Sequence, residues 1–408
     1  MLKFSKLRSG RVTALAAAIT TAFTLQVAPM SASAQTDAEF FTPPAGLPQG
    51  LPGNVIRSRS IEPGNPTANR LANAWQIMYA STDSLGNPIY MTGTVLIPKQ
   101  GDQSQMPIVA IGPGTSGPAF RCAPSRFIDK GAFYEQASIN DALKAGYAVV
   151  VTDYEGYKPD PEVTYIVGRS MGAAILNGVR AAINLPESSL SSSAKTVVRG
   201  YSQGGGAAMW AGQMQPTYAP ELNLVGVVGG GVPANLANVA LQLNGSAGFG
   251  VLFQSLQGFS REYPEYDFDS FLNDRGREIQ AEFQDDVCIL KLLQDYEGVT
   301  LTDVSDVNPL NATVLARIEE NKLGGVPIQV PVYQYHDVAD GLVKFDQAEA
   351  LKDQYCDQGV NLQWNPVDTN GATGIIRHIN LVYRGNAEVN KFIADRFAGR
   401  PATPNCSN

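Results

Sequence analysis

Two serines stand in the pattern Gly-x-Ser-x-Gly, Ser170 between Gly168 and Gly172 and Ser202 between Gly200 and Gly204. A serine on a sharp strand-to-helix turn, flanked by small residues, exposes its hydroxyl for attack on an acyl carbonyl. The pentapeptide alone is weak evidence, because glycine makes up 40 of the 408 residues. A serine nucleophile also needs a general base, and the chain has two histidines, His336 and His378. Such a base needs an acid to fix its tautomer and stabilise the imidazolium. Asp337 and Asp340, in the loop after His336, are the candidates.

Order along the chain selects among them. Short apolar runs at 107–111, 147–152, 195–198 and 224–228 read as buried parallel strands, with helical patterns between them. A hairpin at 70–82 and 88–98, turning at Gly86 and Asn87, precedes them. The alternation resumes at 329–334 and 360–364, with helices at 346–355 and 387–397. This pattern predicts an α/β-hydrolase fold, a mainly parallel sheet with helices on both faces. In that fold the nucleophile follows the strand after the one ending near Asp153, which selects Ser202 and places Ser170 in the opening turn of a helix. The acid and then the base follow in sequence. Asp340 has room to turn back toward His378 and is preferred, with Asp337 in reserve; His336 is read as structural. The oxyanion is expected to meet the backbone N–H of Gln203 and a donor from the Gly-rich loop after Ile111, at Ser116 or Gly117. That loop lacks the Gly-Lys-Ser/Thr ending of a phosphate-binding loop.

Between 235 and 324 the alternation breaks into helix-like segments rich in Phe and Leu, including Phe249, Phe253 and Phe259, followed by a charged amphipathic stretch. We read a helical cap over 235–324, inserted between core segments 35–234 and 325–408. The residues after Gln35, rich in Pro and Gly, are expected to run extended over the surface.

The first residues read as a secretory signal peptide: basic Lys3, Lys6, Arg8 and Arg11, a mostly apolar stretch, and Ala32, Ser33 and Ala34 as the cleavage site. Cleavage after Ala34 leaves 26 basic against 38 acidic residues, a net charge of −12. An acidic secreted chain is a poor partner for nucleic acid, and no other segment has the ~20 apolar residues of a spanning helix. Cys122, Cys288, Cys356 and Cys406 suggest two disulfides in such a compartment. Three pairings are open; Cys122–Cys288 with Cys356–Cys406 is preferred because the second ties down the C-terminal tail. The cysteine spacing and scarce histidine argue against a zinc site.

Taken together, Gly200 to Gly205, the loop of Gly114 and Thr115 with Cys122 to Ser125, Asp153 to Gly156, the helix at 179–182, Asp340 and His378 resemble the secretory lipase family of the lipase A type. The likeness covers essentially the whole mature chain. It implies cofactor-free hydrolysis of triacylglycerols or other carboxylic esters, a helical cap after the nucleophile helix, and the disulfide pairing preferred above. Residues 115–121 depart from the family pattern, since no acidic oxyanion residue maps onto them. Two other functions stay in view: acyl transfer to an alcohol through the same triad, and a non-catalytic envelope or binding protein on a hydrolase scaffold. Oligomeric state is not legible.

Overall fold

Each of the apolar runs becomes a strand of one nine-stranded sheet, ordered β1-β2-β3-β5-β4-β6-β7-β8-β9. The computed structural model describes residues 36–46 and 50–406, so the leader read at 1–34 lies outside the described residues. β1 (Val55–Ile61), β2 (Ala72–Thr82) and β3 (Pro88–Pro98) form an antiparallel meander, and β3 pairs antiparallel with β5 (Ala148–Glu155). From β5 onward all pairs are parallel, through β4 (Ile108–Gly112), β6 (Thr196–Tyr201), β7 (Leu224–Gly230), β8 (Val332–Asp337) and β9 (Leu362–Val367). The chain thus makes a mainly parallel α/β-hydrolase sheet.

Strand periodicity divides the core. On β4 and β5, Ile108, Ala110 and Val150 pack on one face with the helices Gly168–Asn184, Gln203–Tyr218 and Phe345–Asp357. Val109, Ile111, Val149 and Val151 pack on the other, with Gln136–Lys144 and Asn386–Phe397. Alternate side chains of a strand point to opposite faces, so runs buried on both sides have to be apolar throughout. At the β2–β3 hairpin, Asp83 organises the turn by accepting from Leu85 N and Asn87 N at 2.9 and 2.7 Å, and Gly86 takes φ +88°.

Between β7 and β8 the described elements are helical, from Leu236–Leu243 through Phe249–Glu262, Asp274–Asp285 and Ile289–Gln294 to Ala312–Glu320. They share an apolar cluster in which Phe253 packs edge-on against Phe268 and Phe283. The disulfide Cys122–Cys288 joins this region to the segment after β4, and Cys356–Cys406 fastens the tail to the helix Phe345–Asp357.

One expectation is corrected, and two elements lie outside those that the sequence pattern predicts. The lead-in is not simply extended: Asp37–Phe41 is a helix whose Phe40 and Phe41 are buried, with the Arg59 guanidinium 4.4 Å from the Phe40 ring centre. A pair of adjacent aromatics buries enough surface to outweigh the neighbouring prolines. Strand β1, with Arg57 and Arg59 in a half-buried edge, lacks the apolar run used to find its neighbours. His378 lies on a helix, Ile375–Arg384, that no run in the sequence predicts.

Candidate active site

The two Gly-x-Ser-x-Gly serines have different surroundings. Ser202 lies between β6 and the helix Gln203–Tyr218 at φ 57°, ψ −122°. A non-glycine residue there is strained, and such strain persists only where surrounding packing enforces it. That packing is visible at the glycines. A Cβ on Gly204 would lie 1.9 Å from Gly112 O, and one on Gly200 would lie 2.1 Å from Gly204 O. The loop after β4 therefore sits directly against the turn. Ser170, by contrast, is the third residue of the helix Gly168–Asn184, and its buried hydroxyl donates to Glu155 Oε2 at 2.6 Å.

His378 faces Asp340. The imidazole Nδ1 is 2.6 Å from Asp340 Oδ2, while Oδ1 accepts from Leu342 N and Val343 N at 2.8 and 2.9 Å. Burial pushes the Asp340 carboxyl up, but the charge and hydrogen bond of His378, with His336 and the Val343 N–H, outweigh it and hold it below the ordinary value. Asp340 therefore stays an acceptor that fixes the His378 tautomer. The other nitrogen, Nε2, is buried and has no hydrogen-bond partner. Ser202 and His378 line the same cavity but are not hydrogen-bonded to each other. Tyr201 braces the imidazole: its ring centre is 5.0 Å away, and its hydroxyl donates to His378 O at 2.8 Å.

The remaining candidates are occupied elsewhere. Asp337 accepts from Arg377 Nε at 2.6 Å and from Thr369 N at 2.9 Å. His336 is fully buried, with Nε2 2.8 Å from Val343 O and 3.5 Å from Asp340 Oδ2, and burial lowers its basicity.

Thr115, Tyr165, Tyr201, Ser202, Gln203, Ser255 and His378 are the polar members of a mostly apolar cavity wall, to which the region between β7 and β8 contributes Leu236, Leu252, Leu256, Phe259 and Ile289 among others. Gln203 opens its helix, so its backbone N–H is one of the first-turn donors that no intrahelical carbonyl can reach. The carbonyls of Ser116 and Gly117 tie this loop to its surroundings. Ser116 O accepts from Ile289 N at 2.9 Å, Gly117 O accepts from Tyr157 OH at 2.7 Å, and a Cβ on Gly117 would lie 2.5 Å from Cys288 Cα. The loop residue on the wall is Thr115.

The model of the secretory lipase family matches residues 127–405 of the chain. The chain belongs to this family. Relatives include Lipase 5 of Candida albicans, 30% identical over 90% of this chain and 82% of the relative. A secreted triacylglycerol lipase of Malassezia furfur is 28% identical over 90% of this chain and 77% of the relative. The closed-state structure of Candida antarctica lipase A superposes with a TM-score of 0.79 at 25% identity, covering 91% of this chain and 88% of that one. This secretory lipase is a carboxylic ester hydrolase with the α/β-hydrolase fold.

Three residues of the lipase site escaped the sequence reading. Tyr201 is hidden inside the pentapeptide as its variable position. Thr115 sits one residue before the two named for the loop. Glu135 supports a loop 21 residues earlier in the chain: its Oε1 accepts from Gly114 N at 2.6 Å, behind the cavity wall. Burial pushes this carboxyl up to about 7, against the Gly114 N–H, Arg199 and Tyr134. No local pattern marks a lone acid that acts through a distant loop.

Proposed function

We propose that this secretory lipase is a secreted serine hydrolase that cleaves carboxylic esters of lipids, triacylglycerols among them, through an acyl-enzyme on Ser202. The observation that carries the reading is the strained Ser202 in one apolar cavity with a histidine whose Nδ1 is held by a buried carboxylate and whose Nε2 is unengaged.

Ser202 Oγ attacks the ester carbonyl while its proton passes to His378 Nε2, and the carbonyl π pair moves onto oxygen. Asp340 Oδ2 accepts from Nδ1–H and stabilises the imidazolium. The oxyanion takes the Gln203 N–H. As the C–O bond to the alcohol breaks, His378 returns the proton to the leaving oxygen. Water then attacks the acyl-Ser202 with the same base, releasing the acid and restoring the serine. The 235–324 region acts as a cap whose Leu, Val and Phe side chains hold the acyl chain, an apolar wall suited to an apolar ligand. The leader through Ala34 directs export, in keeping with the likeness to a secreted triacylglycerol lipase of Malassezia furfur.

An organophosphonate ester should label the mature protein on the peptide carrying Ser202, read by mass spectrometry. Ser202→Ala should lose labelling and at least 10³-fold in kcat, whereas Ser170→Ala should keep both. Labelling elsewhere with activity retained in Ser202→Ala would overturn the assignment. Turnover of p-nitrophenyl esters from short to long chains then measures how far the acyl wall is used.

A further inference from the structure

The cavity wall carries few hydroxyl protons, and most are committed. Ser255 Oγ donates to Val251 O at 2.8 Å, and Tyr201 OH donates to His378 O. Apart from the nucleophile, the exception is a pair, Thr115 Oγ1 and Tyr165 OH, 2.6 Å apart with both side chains buried. Two hydroxyls bring two protons. One lies between the oxygens, and among the described residues no group accepts the other from either oxygen. A donor left over in an apolar cavity is costly unless something arrives to accept from it.

The pair is also held rigidly beside the nucleophile. Gly112 and Pro113 abut Gly204, and a Cβ on Gly114 would lie 3.3 Å from Tyr201 O and 3.2 Å from Glu135 Oε1. Gly114 N is fixed by Glu135. Tyr165 is fixed from the other side, since a Cβ on Gly258 of the helix Phe249–Glu262 would lie 2.4 Å from Tyr165 N. Burial keeps the Tyr165 phenol protonated far above neutral pH.

We infer that Thr115 is a further catalytic residue of the hydrolase, its hydroxyl accepting from Tyr165 OH and donating its own proton as a hydrogen bond to the ester oxyanion opposite Gln203 N–H. This rests on Ser202 being the nucleophile. The Thr115 proton is shared and never transferred; the only proton that moves in acylation goes from Ser202 to His378. Tyr165 acts through Thr115: by donating to Oγ1 it orients the threonine hydroxyl and makes it a stronger donor, because chained hydrogen bonds polarise one another. The acyl oxygen therefore meets a side-chain donor from the loop after β4, aligned by a tyrosine against which the helix Phe249–Glu262 packs.

The test is steady-state hydrolysis of a p-nitrophenyl ester by Thr115→Val, Thr115→Ala, Thr115→Ser, Tyr165→Phe and Thr115→Val/Tyr165→Phe, with thermal midpoints as a folding control. Removing the hydroxyl should lower kcat about 10²-fold with KM within about 2-fold, the size expected for one oxyanion donor. Thr115→Ser should recover most of it, and Tyr165→Phe should lose several-fold. The double variant should be no slower than Thr115→Val, because Tyr165 has nothing left to orient. If Thr115→Val lowers the midpoint, Thr115→Ala with normal packing carries the comparison. A kcat within 2-fold of the parent in a folded hydroxyl-free variant, or losses that multiply in the double variant, would sink the inference. Ser202→Ala in the same assay separates the two claims. If it is dead while Thr115→Val is fully active, only the Thr115 role fails; if it is active, the nucleophile assignment fails first.

Discussion

Asp337 and Asp340 sit three residues apart on one loop, yet their side chains serve different partners. Asp340 holds His378 and the Leu342 and Val343 amides, while Asp337 binds Arg377 and Thr369. Asp340→Asn should lower kcat about 10³- to 10⁴-fold by favouring the wrong imidazole tautomer. Asp337→Asn should keep kcat within a few-fold and lower the thermal midpoint instead. Equal kinetic losses in the two variants would refute the division. Glu135 predicts a pH effect with a definite sign. A carboxyl raised to about 7 from 4.5 binds its proton more tightly in the folded state, so stability falls as pH rises between those values. Denaturant titrations should show the total fall across that range shrink by up to about 3 kcal/mol in Glu135→Gln. The amide keeps an oxygen for Gly114 N–H, so kcat should survive this change better than Glu135→Ala.

At the scale of elements, the unused serine motif has a role. Ser170 and Thr164 donate to Glu155 at the end of β5, and Ser84 N donates to Glu262 at the end of the helix Phe249–Glu262. Burial pushes both carboxyls up, and each is also raised by a neighbouring acid, Glu262 beside Glu155 and Asp83 beside Glu262. Below pH 4.5 both are protonated folded and unfolded, and no penalty exists. As pH rises above that, the unfolded chain ionises first and the folded state loses ground. Glu262→Gln should therefore raise the thermal midpoint at pH 8 and leave it unchanged at pH 4; equal shifts at both would indicate a packing effect alone. None of this was legible from the pentapeptide. The elements themselves were: β3 spans 88–98 as the hairpin reading predicts, because Gly86 and Asn87 mark the turn and β-branched and aromatic residues follow it. β1 and the His378 helix were not, since Arg57 and Arg59 break the apolar run and His378 follows a stretch of Asn, Gly and Thr that reads as loop.

The whole molecule is closed by two covalent ties of different reach. Cys356–Cys406 spans 50 residues and binds only the tail, whereas Cys122–Cys288 spans 166 and links the site loop to the region between β7 and β8. Replacing Cys356 and Cys406 together by serine should cost about 2–4 kcal/mol in denaturant unfolding while kcat stays near the parent value. A comparable fall in kcat would mean the tail reaches the site. The order of Ser202, Asp340 and His378 could be read from a fold-level rule because chain direction fixes where each strand ends. The wall around them could not, because Thr115, Tyr165 and Ile289 meet only after three distant segments have packed.

The helices between β7 and β8 leave and rejoin the sheet at neighbouring strands. Their sequence can therefore diverge, or be exchanged in the laboratory, without altering the order of any strand. Such an exchange has one strict requirement: the incoming cassette must bring a cysteine to the position of Cys288. Without it, Cys122 is left as a lone thiol in the segment that leads from the site loop, and a recombinant chimaera would be open to pairing with the wrong partner during export.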